Sequence, residues 1–140
     1  MINKQKFDLE DRLIAFAVLI IKITESLNNT KAGNHIAGQL VRSGTSPALQ
    51  YGEAQSAESR NDFIHKLKIL LKELRESLVA LKIIKEALLT EKIELIDKAL
   101  LECNELIAIF VKSIETAKKI TIKENNYYFI ILYSLFFIQY

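Results

Sequence analysis

The chain contains almost nothing that ends a helix. Its 140 residues include one Pro and four Gly, the residues that most strongly punctuate secondary structure. Between these few breaks, apolar residues recur at spacings of three and four in four separate segments, the period of one face of an α-helix. Leu9, Leu13, Phe16, Ile20, Ile23 and Leu27 form the first set. Asp8, Glu10 and Asp11 stand at its start, where negative charge complements the helix dipole. Asn28 to Gly33 reads as a connection. The second segment runs from about Asn34 to Gln55 on Ile36, Leu40 and Tyr51, and is weakened by Gly44 and Pro47. A Pro in mid-helix removes one backbone hydrogen bond, so a kinked helix is expected here in preference to a broken one. The third opens on Ser59-Arg60-Asn61-Asp62, a capping-box-like start, and continues through Phe63, Leu67, Leu70, Leu74, Leu78 and Leu81. The fourth, with Thr90 as its expected cap, carries Ile93, Ile96, Leu100, Cys103, Ile107, Phe110 and Ile114.

Four amphipathic helices joined by short connections make an antiparallel up-down bundle. The fold class is therefore all-α, with a four-helix bundle over residues 1–119. Half of the residues are hydrophobic, and second apolar sets accompany the first: Ile14, Val18 and Ile21; Ile64, Leu71 and Ile84; Leu95, Leu106 and Ile109. Apolar surface beyond what one bundle core needs points to a subunit interface, so a homo-oligomer is expected.

The lone Cys103 allows no internal disulfide, which suits a reducing compartment, and on its helical pattern it reads as a small buried hydrophobe. The N-terminus shows no basic region followed by an apolar stretch, so a secretory signal is not expected and a cytoplasmic location is. The formal net charge of +2 gives no global field of the kind that marks a dedicated nucleic-acid binder. Charge is nevertheless uneven. Arg60, Lys66, Lys68, Lys72, Arg75, Lys82 and Lys85 face three acids (Asp62, Glu73 and Glu76) in the third segment, a net of +4. The stretch from Glu86 to Lys119 holds five basic and seven acidic residues, net −2. Neighbouring helices that complement one another across the bundle surface are the ordinary cause of such a pattern.

No residue pattern points to catalysis, to a cofactor or to a metal. A metal site in a bundle needs facing carboxylates and Glu-x-x-His pairs, but the chain offers His35 without an acidic partner and one Asp62-x-x-His65. Nucleophile elbows, phosphate-cradling glycine loops and dinucleotide fingerprints are missing. One segment departs from generic bundle sequence, Arg42 to Ala54. Arg42, Ser46, Gln50 and Glu53 fall on one helical stripe, which suits an intersubunit or ligand surface, or a buried network that fixes register.

The runs Phe7-Asp8-Leu9-Glu10-Asp11-Arg12, His35 to Leu40, Arg42 to Glu53, Asp62 to Leu67, Leu71 to Glu76 and Glu105 to Ile114 together resemble the four-helix bundle proteins encoded by intervening sequences within bacterial large-subunit ribosomal RNA genes. The resemblance spans Phe7 to Lys119. It implies an up-down bundle assembled into a ring-like pentamer, with no established biochemical activity. More distantly the chain resembles the accessory proteins of diversity-generating retroelements, basic pentamers that contact a reverse transcriptase and nucleic acid. Many members of the family carry Asn and then Glu-Gly after the Pro; Gln50 and Glu53-Ala54 stand there in this chain.

Residues 120–140 fall outside the resemblance. Tyr127 to Tyr140 holds seven of the twelve aromatics, and its fourteen residues, at about 1.5 Å each, are too short to cross a membrane as a helix. Two functions remain open. One is an oligomeric accessory module binding RNA, or a nucleic-acid enzyme such as a reverse transcriptase, through Lys66, Lys68, Lys72 and Arg75. The other is a structural oligomer or protein scaffold with no nucleic-acid role. No small-molecule substrate is expected for either.

Overall fold

The computed structural model describes residues 8–119. They form four helices: α1 (Leu9–Glu25), α2 (Lys31–Gln55), α3 (Arg60–Glu86) and α4 (Ile93–Lys119). The readings made of residues 120–140 lie outside the described residues. Three of the helix starts are capped by a side chain that satisfies a first-turn amide. Asp8 accepts from the Asp11 N–H at 2.8 Å, Thr30 from Gly33 at 3.0 Å, and Ser59 from Asp62 at 3.1 Å. The Thr30 cap places the start of α2 at Lys31, earlier than the apolar pattern suggested. Pro47 lies inside α2, which runs on as a single helix to Gln55.

Helix α1 packs on α2 and α4, and α3 packs on the same two, so α1 and α3 stand on one diagonal of an up-down bundle. Two connections meet at one end. The Asn28 N–H donates to the Leu89 carbonyl at 2.8 Å, and the Ser26 and Thr90 hydroxyls lie 2.9 Å apart. Thr90 is therefore not the cap of α4. It is buried and accepts from the Lys92 N–H, tying the α3–α4 connection to the end of α1, while α4 begins at Ile93. Helix α3 closes in a Schellman motif: the Leu89 N–H reaches the Ile84 carbonyl and the Leu88 N–H that of Lys85. The left-handed residue of such a motif is usually Gly; here it is Leu88, with φ 55°.

The core takes one face from each helix, and α2 contributes differently from the rest. Its buried residues are Gly33, Leu40, Ser43, Gly44, Pro47, Tyr51 and Ala54, mostly small. Close approach follows. A Cβ built on Gly44 would lie 2.5 Å from Ile20 Cγ2 and 2.9 Å from Ile20 Cβ, so the α2 backbone rests directly on a fully buried, β-branched side chain of α1. Tyr51 reaches across the other diagonal to Phe110, ring centroids 6.0 Å apart at 70°, an edge-to-face geometry favoured by the ring quadrupoles.

The second apolar sets divide. Ile64, Leu71, Ile84 and Leu106 are buried within this one bundle, because each sits on a flank turned toward a neighbouring helix; they are not surplus. Leu95 and Ile109 are half-buried against the core. Ile14, Val18 and Ile21 on α1 remain exposed.

Cys103 is fully buried and its Sγ lies 3.2 Å from the Leu74 carbonyl. Burial pushes the thiol up to about 12, with the nearby Glu102 carboxylate adding to the shift. An unfolded thiol ionises near 9.0, so the stability tied to Cys103 is intact below that pH and is lost as pH rises toward about 12. Between pH 8 and 10 the native chain should lose about 1.4 kcal/mol more stability than Cys103→Ala, measured by urea unfolding at each pH. Equal losses in the two proteins would contradict a protonated native thiol.

The contact at Gly44 gives a second prediction. Replacing a helical Gly by Ala gains about 1 kcal/mol of helix propensity, but overpacking a filled site costs about 1–3 kcal/mol. Gly44→Ala should therefore destabilise by up to about 2 kcal/mol in urea unfolding. Gly38→Ala, where nothing lies within 4 Å, should stabilise by about 0.5–1 kcal/mol.

Candidate interaction surface

Helix α3 carries more basic residues than any other helix, and packing sorts them onto two opposite sides. Lys66, Glu73 and Ser77 lie toward α2. The Lys66 Nζ donates to Glu53 Oε2 at 2.9 Å, which raises the ammonium pKa. Arg42 of α2 is held between two carboxylates of α3, Glu73 at 3.0 Å and Glu76. Both raise its pKa, the Glu76 hydrogen bond most. Further in, the Ser77 hydroxyl donates to Ser43 Oγ at 2.9 Å, and Ser43 donates on to the Leu40 carbonyl. Both serines are buried; buried hydroxyls of this kind are held by partners.

The polar stripe of α2 thus belongs to the α2–α3 seam. Arg42 and Glu53 form ion pairs at its two ends, Ser46 is half-buried, and Gln50 Oε1 is buried without a hydrogen-bond donor among the described residues. Two of the four, Arg42 and Glu53, therefore pair across the seam with α3, as expected of a network that aligns two helices. A similar clamp joins α1 to α4, where Arg12 Nε meets Glu102 Oε1 at 2.6 Å and its Nη2 reaches Glu105. At the far end of α3, Lys85 meets Asp97 of α4 at 2.6 Å.

On the opposite side of α3 stand Lys68, Arg75 and Lys82, with Lys72 beside them. All four are exposed, and none has a carboxylate within ion-pair distance among the described residues. Positions seven apart on a helix drift by only about 20° per heptad, so Lys68, Arg75 and Lys82 make one straight basic row. Of the residues singled out from the sequence, Lys68, Lys72 and Arg75 share this surface, and Lys66 does not, because Glu53 draws it to the α2 seam. Lys82 completes the row. Its signal was present in the sequence as the repeat at 68, 75 and 82, but Lys82 is not among the four residues expected there, Lys66, Lys68, Lys72 and Arg75. The acids adjacent in sequence, Glu73 and Glu76, point away from the row toward Arg42.

His35 and His65 are exposed, and among the described residues no three His, Cys, Asp or Glu side chains gather into a metal-holding group. No described helix is long and apolar enough to cross a membrane.

A family profile described as 23S rRNA-intervening sequence protein matches residues 5–112. The chain belongs to this family. The match covers all of α1, α2 and α3 and most of α4, so the intervening-sequence family is a family of this bundle. A crystal structure of an S23 ribosomal protein family member from Bacteroides thetaiotaomicron, described as of unknown function, superposes with a TM-score of 0.66. It is 32% identical, and the match covers 75% of this chain and 96% of that one. No curated protein matches.

The orphan amide oxygen supplies a test of the seam. A buried acceptor without a donor costs about 1–3 kcal/mol, so Gln50→Leu should be as stable as the native chain or more so in urea unfolding. A loss above about 1 kcal/mol would mean that the amide has a partner that the seam does not show.

Proposed function

We propose that this intervening-sequence protein is a non-catalytic, homo-oligomeric accessory module of the cytoplasm that binds the phosphate backbone of RNA through the outer face of α3. The observation that carries the reading is the partition of charge on that helix. Arg42 takes Glu73 and Glu76 out of the surface, and the row Lys68, Arg75 and Lys82, with Lys72 beside it, faces solvent uncompensated. Such side chains neutralise phosphates and carry no means of reading bases, so binding is tolerant of sequence. Repetition of the row in an oligomer turns weak single contacts into useful avidity.

A second reading, a structural oligomer or protein scaffold, is favoured by a different observation, the exposed apolar stripe Ile14, Val18 and Ile21 on α1. The two readings separate in a titration with structured ribosomal RNA at 50 and 200 mM salt. With three phosphates neutralised per protomer, affinity should fall about 20- to 40-fold between those salts. A Lys68/Arg75/Lys82 charge reversal should abolish binding while leaving the helical circular-dichroism signal intact. No binding by the native protein at low salt, or equal binding by the reversal variant, would leave the scaffold reading in its place.

A further inference from the structure

The basic row of α3 has a counterpart on α4. Leu74 of α3 and Cys103 of α4 meet across the core, the thiol sulfur 3.2 Å from the Leu74 carbonyl. One residue on from each, Arg75 and Asn104 turn to the same side, because a step of about 100° acts in opposite senses on antiparallel neighbours. Seven-residue steps from this pair set Lys82 level with Asp97 and Lys68 level with Val111. The Lys85–Asp97 ion pair, at 2.6 Å, holds the same alignment at the far end of α3. Two straight rows therefore run along the α3–α4 groove: Lys68, Arg75 and Lys82 on one wall, and Val111, Asn104 and Asp97 on the other.

Charge on the second wall is sorted as it is on the first. The acids in the middle of α4, Glu102 and Glu105, are drawn to Arg12 on the α1 side, and Asp97 is held by Lys85. Between Asp97 and Glu115 the groove side of α4 carries Leu100, Ile107 and Val111, partly buried against the core, and Asn104. The Asn104 side chain is exposed and makes no hydrogen bond to any of the described residues. Asn is a weak helix former, and the bundle's described packing makes no use of this one.

We infer that this groove is the RNA site in full, and that Asn104, midway along it, contacts the ribose 2′-hydroxyl. The inference rests on the RNA reading of the basic row. When Arg75 and its neighbours in the row hold phosphates of one strand, sugar lies between them. Asn offers an acceptor and two donors without charge, which suits a hydroxyl that both donates and accepts; Asn is among the side chains that make sugar contacts. Its neighbours on this wall are aliphatic, and the four described aromatics, Phe16, Tyr51, Phe63 and Phe110, are all buried, so the described surface stacks no base. The groove therefore tells RNA from DNA by the sugar and leaves the base sequence unread.

The test uses the full chain and one ribosomal hairpin sequence, made as RNA and as DNA and titrated at several salt concentrations. The native protein should favour the RNA by about three- to tenfold, the worth of one hydrogen bond. Asn104→Ala, a change that favours the helix, should bring RNA binding down to the DNA level. Its slope against salt should stay as it was, since no phosphate contact is lost. Asn104→Gln, which keeps the amide, should keep a preference for RNA. Arg75→Gln should instead weaken both and lower the slope by about one. Equal native affinity for the two nucleic acids, or a loss in Asn104→Ala that falls equally on both, overturns the sugar contact and leaves the basic row standing. If the native protein binds neither, the reading of the row fails as well.

Discussion

The architecture depends on how closely α2 can be approached. Its core face is made of small residues, and at Gly44 the backbone itself meets Ile20 of α1. Apolar bundles usually hold helices apart by 8–10 Å of interdigitated side chains; a small-residue face lets the backbones come nearer and brings polar groups on the flanks within reach. The Ser43–Ser77 bond, the Arg42 clamp and the Lys66–Glu53 pair lie on the other flank of α2, against α3. Individually, half-exposed ion pairs of this sort are worth little, about 0–1 kcal/mol. Their consequence is directional. They fix which side of α3 faces inward and so which charges are left outside.

That selection links packing to function. Helix α3 has a net charge of +3, seven basic residues against four acidic, but a net charge says nothing of arrangement. The seam with α2 absorbs both Glu73 and Glu76 at the cost of one arginine from the neighbouring helix, and Lys66 turns to the same seam. The outer face is left with a basic row and two apolar residues. The outer face of α1, on the opposite diagonal corner, carries Ile14, Val18 and Ile21 together with exposed Lys22.

The helices and their number were legible in the sequence because burial imposes the 3.6-residue period, and Asp8 and Ser59 cap where short polar residues precede apolar runs. Less was legible where local signals compete with tertiary ones. Thr90 looks like a cap, yet it bonds Ser26 across two connections, a contact between residues far apart in the chain. Thr30 and Gly33 look like loop, yet they open α2. The second apolar sets could not be divided by spacing alone. Ile64 and Ile14 follow the same periodicity, but only the packing shows that one faces α4 and the other solvent. The basic patch was half legible. Charge counting found the helix, but not that Glu53 removes Lys66 or that Arg42 removes the two acids, because both pairings join separate helices.

The central claim is that Arg42 makes the basic face usable by holding Glu73 and Glu76 away from it. The most direct measurement is RNA affinity at low salt for Arg42→Gln beside Lys22→Gln, which removes one positive charge from exposed α1. Arg42 does not lie on the row, so its loss acts by releasing Glu76, which lies four residues from Lys72 on the same helix face. Arg42→Gln should weaken binding by about threefold or more beyond Lys22→Gln, a difference that shrinks as salt screens it. Equal affinities for the two variants would contradict the account.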